Sequence, residues 1–261
     1  MLWKIEGTQL AVLGSIHVLD VANPPLSDAA WREFNTATRV VFEHDFAQPP
    51  DVSFARLPPG QSLRALIPPL LFEAAQERCR EFLLDVDVVT SYQPWFAGLL
   101  LGVEMAKHAG LNHNAGVDRR LWEHARQQGK TIEFLEDAAA ALRLFSAAPM
   151  EEQLTMLRFA AAEPDAGIAF LNRLVGGWKQ RRADIIMACV QERLALMPVM
   201  FGRVIEGRNR SWLPRLHALA ADERAHTLAV VGALHTVGPV GLPALLRAAG
   251  CNVIAVDVSG E

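Results

Sequence analysis

The chain has 261 residues, 51% of them hydrophobic, enough to bury a sizeable core in one large domain or two modest ones. Charged residues make up 21% with a net charge of −4, which excludes a strongly basic nucleic-acid binder and a disordered acidic tail. With 18 glycines and 15 prolines, collagen-like and low-complexity chains are excluded as well.

The first 45 residues are strand-rich. LWKIEG and TQLAVLGSIH are apolar runs joined by a Gly7-Thr8 step, so a hairpin or two consecutive strands is expected. Ser27 can N-cap a helix running through DAAWREFNTAT, with Asp28 in its first turn. RVVFEHD (Arg39–Asp45) then reads as a buried strand. Strand, helix and strand in this order form the βαβ pattern of a parallel sheet. Residues 46–60 are a Pro-rich loop. The stretch from Leu63 to about Arg126 is mostly helical, broken at IPP and SYQPW. GKTIEFLED (Gly129–Asp137) gives another short strand, and residues 138–225 are a long helical run punctuated by prolines. HTLAVVGALH, GPVGLPALLRAAG and CNVIAVDV return to strand, helix and strand.

This pattern predicts an α/β fold: a mixed central sheet built from both chain ends, with a large helical insertion. The sheet core falls at about 1–45, 129–137 and 226–261. The helical part falls at about 60–128 and 138–225. Because the two ends must pair to complete the sheet, residues 1–261 are expected to form a single domain. The helical segments could serve as a lid over the site or as the face of a homodimer.

One short pattern occurs twice, as Gly14-Ser15-Ile16-His17 and Gly232-Ala233-Leu234-His235. Each GxxH closes an apolar strand, LAVLGSIH or LAVVGALH, and ligands of open α/β sheets bind beyond the carboxyl ends of strands. Glu43 and Asp45 stand at the end of VVFEHD and Glu136 at the end of IEFLED. Parallel strands would bring these ends to one edge. Two imidazoles with one or two carboxylates could hold a divalent metal ion with a position left for water, or act as acid and base without it.

Plainer roles compete at each position. A single GxxH is a weak signal, and Glu43 with Asp45 could be a solvated strand-end pair. Glu136 could begin a helix, and Asp118, in the GVD turn before RRLWEHARQQ, reads more readily as a cap than as a site residue. Arg208 in RNRSW could clamp a carboxylate or phosphate, whereas Arg210 reads as solvated. His108, His113, His124, His217 and His226 share no spacing. Walker, GxGxxG, HExxH and GxSxG motifs are missing.

Cys79, Cys189 and Cys251 form no CxxC pair and read as buried thiols of a reducing compartment. The richest apolar window, Trp95–Ala106, is too short to span a bilayer and contains Glu104. MLWKIEG lacks the features of a secretory signal. The expectation is a cytoplasmic chain with no membrane or nucleic-acid partner, or a periplasmic one if a leader was removed ahead of Met1.

Taken in order, LGSIHV, the strand ending in Glu43, QPW, GVDRRLWEHARQQGKTIEFLED, RNRSW and VVGALHTVGPVGLPALLRAAGCNV resemble the TraB/PrgY/GumN family. That family includes the TIKI proteins, regarded as metal-dependent proteases, and is grouped with erythromycin esterases and haem-binding ChaN proteins. The resemblance implies a mixed α/β sheet and a site centred on His17, Glu43 and His235, with Arg208 and Asn209 nearby. Glu136 matches a family "LE" position, although Asp137 follows it here in place of Thr or Ser.

The expected function is a metal-dependent hydrolase of peptide, amide or ester bonds, acting on a peptide or small-molecule substrate. His17, Glu43 and His235 would bind Mn²⁺, Co²⁺ or Zn²⁺, Glu43 serving as third ligand or as base, and Arg208 would steady the anionic intermediate. Glu136, Asn209, Asp118 and Asp45 would bind substrate or support these groups. The alternative is a haem- or metal-ligand-binding protein of ChaN type without turnover, its pocket lined by Trp31, Trp95, Trp122, Trp178 and Trp212.

Overall fold

A computed structural model describes residues 1–20 and 26–259. Two strands open the chain, β1 (Leu2–Ile5) and β2 (Leu10–Ser15), and pair antiparallel through the turn at Gly7. The first helix, α1 (Asp28–Thr36), is capped by Ser27, whose Oγ accepts from the Ala30 N–H at 3.2 Å. Strand β3 (Arg39–Phe42) follows and stops one residue before Glu43.

The helical middle begins with α2 (Pro69–Glu81), α3 (Val86–Thr90), α4 (Pro94–His108) and α5 (Val117–Gln127). Strand β4 (Thr131–Phe134) interrupts it. Helices α6 (Ala138–Ser146), α7 (Met150–Ala161), α8 (Pro164–Lys179), α9 (Ala183–Leu196), α10 (Pro198–Phe201) and α11 (Arg208–Ala220) complete it. The chain closes with β5 (Thr227–Gly232), α12 (Leu242–Ala248) and β6 (Val253–Ala255). The prolines that break the sequence pattern become helix starts in α2, α4, α8 and α10, where the missing N–H costs nothing.

The sheet has six strands in the order β4-β3-β5-β2-β1-β6. Strands β4, β3, β5 and β2 run parallel, and β1 is antiparallel to both β2 and β6. Both chain ends therefore build the sheet and the middle is helical. Two details differ from the linear reading. The β2–α1–β3 unit does not join neighbours, because β5 arrives from the far end of the chain and lies between them. Strand β6 covers only Val253–Ala255 of the expected CNVIAVDV run, pairing with Trp3–Ile5 of β1. Strands β2 and β5 are buried at every position, as expected of central strands covered on both faces.

The main core surrounds the sheet, with Trp3, Phe34, Leu13 and Trp212 fully buried. A second cluster joins α2, α4 and α7 through Leu71, Phe72, Leu101 and Leu157. Helices α4 and α7 approach closely at Gly98, where a Cβ would stand 2.9 Å from the Leu157 backbone. Among the described residues no helix is long and apolar enough to cross a membrane.

Gly98→Ala should lower stability by about 1–3 kcal/mol, since the backbone it meets cannot step aside. Gly102→Ala, one turn further on where a Cβ meets open space, should instead gain up to about 1 kcal/mol. Urea midpoints of the two variants, compared with wild type, check both signs.

Candidate functional site

Parallel pairing carries the strand ends to one edge. Ser15 of β2 is in register with Gly232 of β5, and Phe42 of β3 with Val230 of β5. The residues just beyond them, His17, His235 and Glu43, therefore emerge side by side. Past the end of β4 the Glu136 N–H donates to the Glu43 carbonyl at 2.9 Å, so a fourth segment joins.

Glu43 sits at the middle of this group. Its Oε1 accepts from the Gly232 N–H at 2.6 Å and lies 4.0 Å from Nε2 of His17 and 4.0 Å from Nε2 of His235. Gly232 is confined by the same groups, since a Cβ there would fall 2.9 Å from His17 Nε2 and 3.3 Å from Glu43 Oε1. Gly14 meets Thr236 in a similar way, at 3.1 Å. The glycines of the two GxxH segments are thus places where the opposite segment comes too near for a side chain.

The two histidines stand in opposite environments. His17 has more than half of its side chain exposed, and its Nδ1 faces Asp118 Oδ2 at 2.5 Å. Burial of its surroundings pulls its pKa down, but Asp118 and then Glu43 outweigh that and push it up to about 9. Asp118 is therefore not a cap. Gly116 occupies the N-cap position of α5, and the buried Asp118 carboxylate meets the His17 ring at Nδ1.

His235 is buried. Its Nδ1 lies 2.7 Å from Asn209 Oδ1. Asn209 is oriented by its Nδ2, which donates to the carbonyls of His235 (3.2 Å) and Val240 (2.7 Å). Its oxygen must therefore face the ring, which assigns the proton to Nδ1 and leaves Nε2 as an acceptor. Arg208 Nη1 is 3.1 Å from that Nε2. Desolvation lowers the His235 pKa to about 3; the pull of Glu43 is too weak to offset it, and Arg208 and His17 add to the fall.

Arg208 follows a π-helical stretch, Gly202–Gly207, that runs from α10 into α11. Such local widening recurs at functional sites, because it changes which side chains face inward. The Arg208 Nε donates to Glu136 Oε1 at 2.7 Å, while Nη2 pairs with both Glu43 and Glu136. Trp212, one turn along α11, lies 4.6 Å beneath the guanidinium and donates through Nε1 to Glu136 Oε2 at 3.2 Å. Burial opposes the charge on Arg208, but Glu43 and Glu136 raise its pKa. For Glu43 burial acts upward, yet Arg208, then His235 and His17, hold the carboxyl well below the usual carboxylate range. Arg208 is thus engaged by residues of the chain itself, its Nε, Nη1 and Nη2 each meeting Glu136, His235 or Glu43.

The same contacts bear on a metal. Two imidazole Nε2 atoms and a carboxylate suit a divalent cation in kind, and each ring is held from behind as metal-binding histidines usually are. In the arrangement seen, however, the Arg208 guanidinium lies against both Glu43 and His235. Among the described residues no group of three His, Cys, Asp or Glu side chains is arranged to hold a metal ion. A cation would require Arg208 to leave those two partners.

Other expectations fall elsewhere. Asp45 is exposed, accepts from the Ala47 N–H at 2.8 Å and stays outside the cluster. His44 turns toward Phe46, His113 is exposed, and Arg210 pairs with Glu206 on the helix surface. Glu136 does not open a helix; Asp137 does, by capping α6. Among the described residues, no pocket brings together Trp31, Trp95, Trp122, Trp178 and Trp212. Trp95, Trp122, Trp178 and Trp212 are buried in the cores and Trp31 packs against Phe34. Trp178 Nε1 donates to the Gly14 carbonyl at 2.8 Å and so braces the first GxxH segment. No local pattern pointed to the Gly232 N–H on Glu43. For Trp212 the spacing Arg208-x-x-x-Trp212, one helical turn, was a usable sign.

A mixed sheet whose parallel strand ends present two GxxH histidines around one glutamate defines the class to which this protein belongs. The TraB/PrgY/gumN family model matches residues 1–255, and the chain is a member of that family. It is 25% identical over 248 residues to the "Uncharacterized protein YbaP" of Escherichia coli (strain K12), covering 90% of this chain and 87% of the relative. The Shigella flexneri protein of the same name matches with the same identity and coverage. No solved structure matches the chain.

The split between the histidines has a pH consequence for the metal-free protein. His17 has a folded value near 9 against 6.5 unfolded, so its stabilising contribution is complete below pH 6.5 and is lost as pH rises through 9. His235 has a folded value near 3, so the unfolded chain alone takes up that proton and stability falls as pH drops from 6.5 to 3. NMR titration should put the His17 midpoint well above 6.5 and bring it down by more than one unit in Asp118→Asn. Urea midpoints in chelator should lose their alkaline-side decline in that variant.

Proposed function

We propose that the protein is a hydrolase of amide or ester bonds, working at the strand-end site of His17, Glu43 and His235. The observation that carries this reading is the convergence of two imidazole Nε2 atoms on one carboxylate oxygen, each at 4.0 Å. Each ring is fixed from its far side, by Asp118 or by Asn209. Holding the reacting groups in this way removes the entropy cost of assembling them during turnover.

His17 is the member that meets solvent, and as an imidazolium it can give a proton to a leaving group. Glu43 keeps the two rings in electrostatic contact and remains anionic across the neutral range. Arg208 neutralises Glu43 and Glu136 and presents Nη1 to His235. If a divalent ion such as Mn²⁺, Co²⁺ or Zn²⁺ is the cofactor, His17, Glu43 and His235 would hold it, and it would supply a low-pKa water and polarise the scissile carbonyl.

A second reading, metal-free acid–base hydrolysis, is supported by the seat of Arg208 on Glu43 and His235. It is supported too by the two histidines, whose environments push one pKa up and the other down, as for an acid and a base.

Elemental analysis and a screen of peptides and esters, with and without chelator, separate these readings. Each of His17→Ala and His235→Ala should lower kcat/KM by about 100-fold or more while leaving the protein folded. One transition metal per wild-type chain, lost in the double-alanine protein together with activity, supports the metal. Activity that survives chelation supports acid–base chemistry. A double-alanine protein with full activity overturns the hydrolase reading.

A further inference from the structure

A cavity of about 300 Å³ lies among the helices of the middle segment, walled by residues of α4, α7, α8 and α9 together with Val18, Phe145 and Phe201. It is roughly twice the volume of a cavity that accommodates benzene, room for about ten carbon atoms. Of the residues lining it, Arg193 alone is polar.

Arg193 is unusual for a charged residue. It is only 7% exposed, and its guanidinium stands over the rings of Phe170 (3.7 Å) and Phe159 (4.4 Å). Among the described residues its side chain has no hydrogen bond and no ion pair; its neighbour Glu192 is paired with Arg173 instead. Arginine does not shed its proton, and the aromatic faces offset only part of the cost of burying it. A guanidinium with little exposure and no anion beside it, on the wall of an otherwise apolar cavity, offers one half of a recognition site.

We propose that this cavity binds an amphipathic monocarboxylate, a chain of about ten carbons whose carboxylate pairs with Arg193. The apolar walls take the chain, and the fork of the guanidinium matches a carboxylate in two-point contact. A neutral ligand of the same shape would leave Arg193 uncompensated, and a dianion would bring a second charge against carbon. Val18, which follows His17 in the chain, forms part of the wall, and no residue of the strand-end site lines the cavity. Binding there needs no turnover, and the inference stands apart from the hydrolase reading.

Isothermal titration with decanoate and with decan-1-ol, below their aggregation limits, tests it. Wild type should bind decanoate at least about tenfold more tightly than decan-1-ol. Arg193→Met should abolish that preference while keeping the affinity for decan-1-ol. Gly102→Leu, which extends a side chain from the cavity wall into open space, should weaken both ligands and serves if Arg193→Met fails to fold. The His17→Ala/His235→Ala protein should bind decanoate like wild type, so a failure of hydrolysis is distinguishable. Equal affinities for the two ligands in wild type, no decanoate binding, or binding untouched by Arg193→Met or by Gly102→Leu would overturn the proposal.

Discussion

The guanidinium of Arg208 ties three separate parts of the chain into one charged cluster. Its partners are Glu43 beyond β3, Glu136 beyond β4 and His235 beyond β5. Each of these groups is costly to bury alone, and together they satisfy one another. Removing the arginine would leave two carboxylates uncompensated, a loss of about 3–5 kcal/mol by analogy with other buried pairs. The cluster therefore requires the strands to end where they do, and it requires α11 to present Arg208 inward. The π-helical stretch before it and Trp212 beneath it both serve that placement.

Against this fixed centre the two GxxH histidines do different things. His235 is sealed in, kept neutral, with its Nε2 turned to Arg208. His17 is exposed, charged, and backed by Asp118. Strands of nearly the same composition thus deliver the same residue to two environments, one governed by desolvation and a neighbouring cation, the other by a carboxylate. That difference gives the strand-end cluster a proton donor at its surface and an acceptor within it.

Much of the architecture was legible from the chain alone. Buried apolar runs marked the strands, Ser27 marked the start of α1, and prolines marked the helix starts, because these signals act within a few residues. His17, Glu43 and His235 could be named because each closes a strand, and parallel strands share an edge. For Asp118 the sequence left a cap and a supporting role both open, since capping is a local reading and its partner His17 lies 101 residues away. Asp45 was placed at the site by adjacency to Glu43, yet the chain turns outward after β3.

The sequence by itself determined which segments would be strands or helices and which residues would stand at strand ends, for these follow from short-range periodicity and backbone sterics. Only the tertiary structure decided that β5 would separate β2 from β3, that Arg208 would meet Glu43, Glu136 and His235, and that two like histidines would have their pKa values pushed in opposite directions. The reason is physical. Strand order and pKa depend on which distant groups share a low-dielectric interior, and neither dielectric nor long-range contact is written in any local pattern of residues.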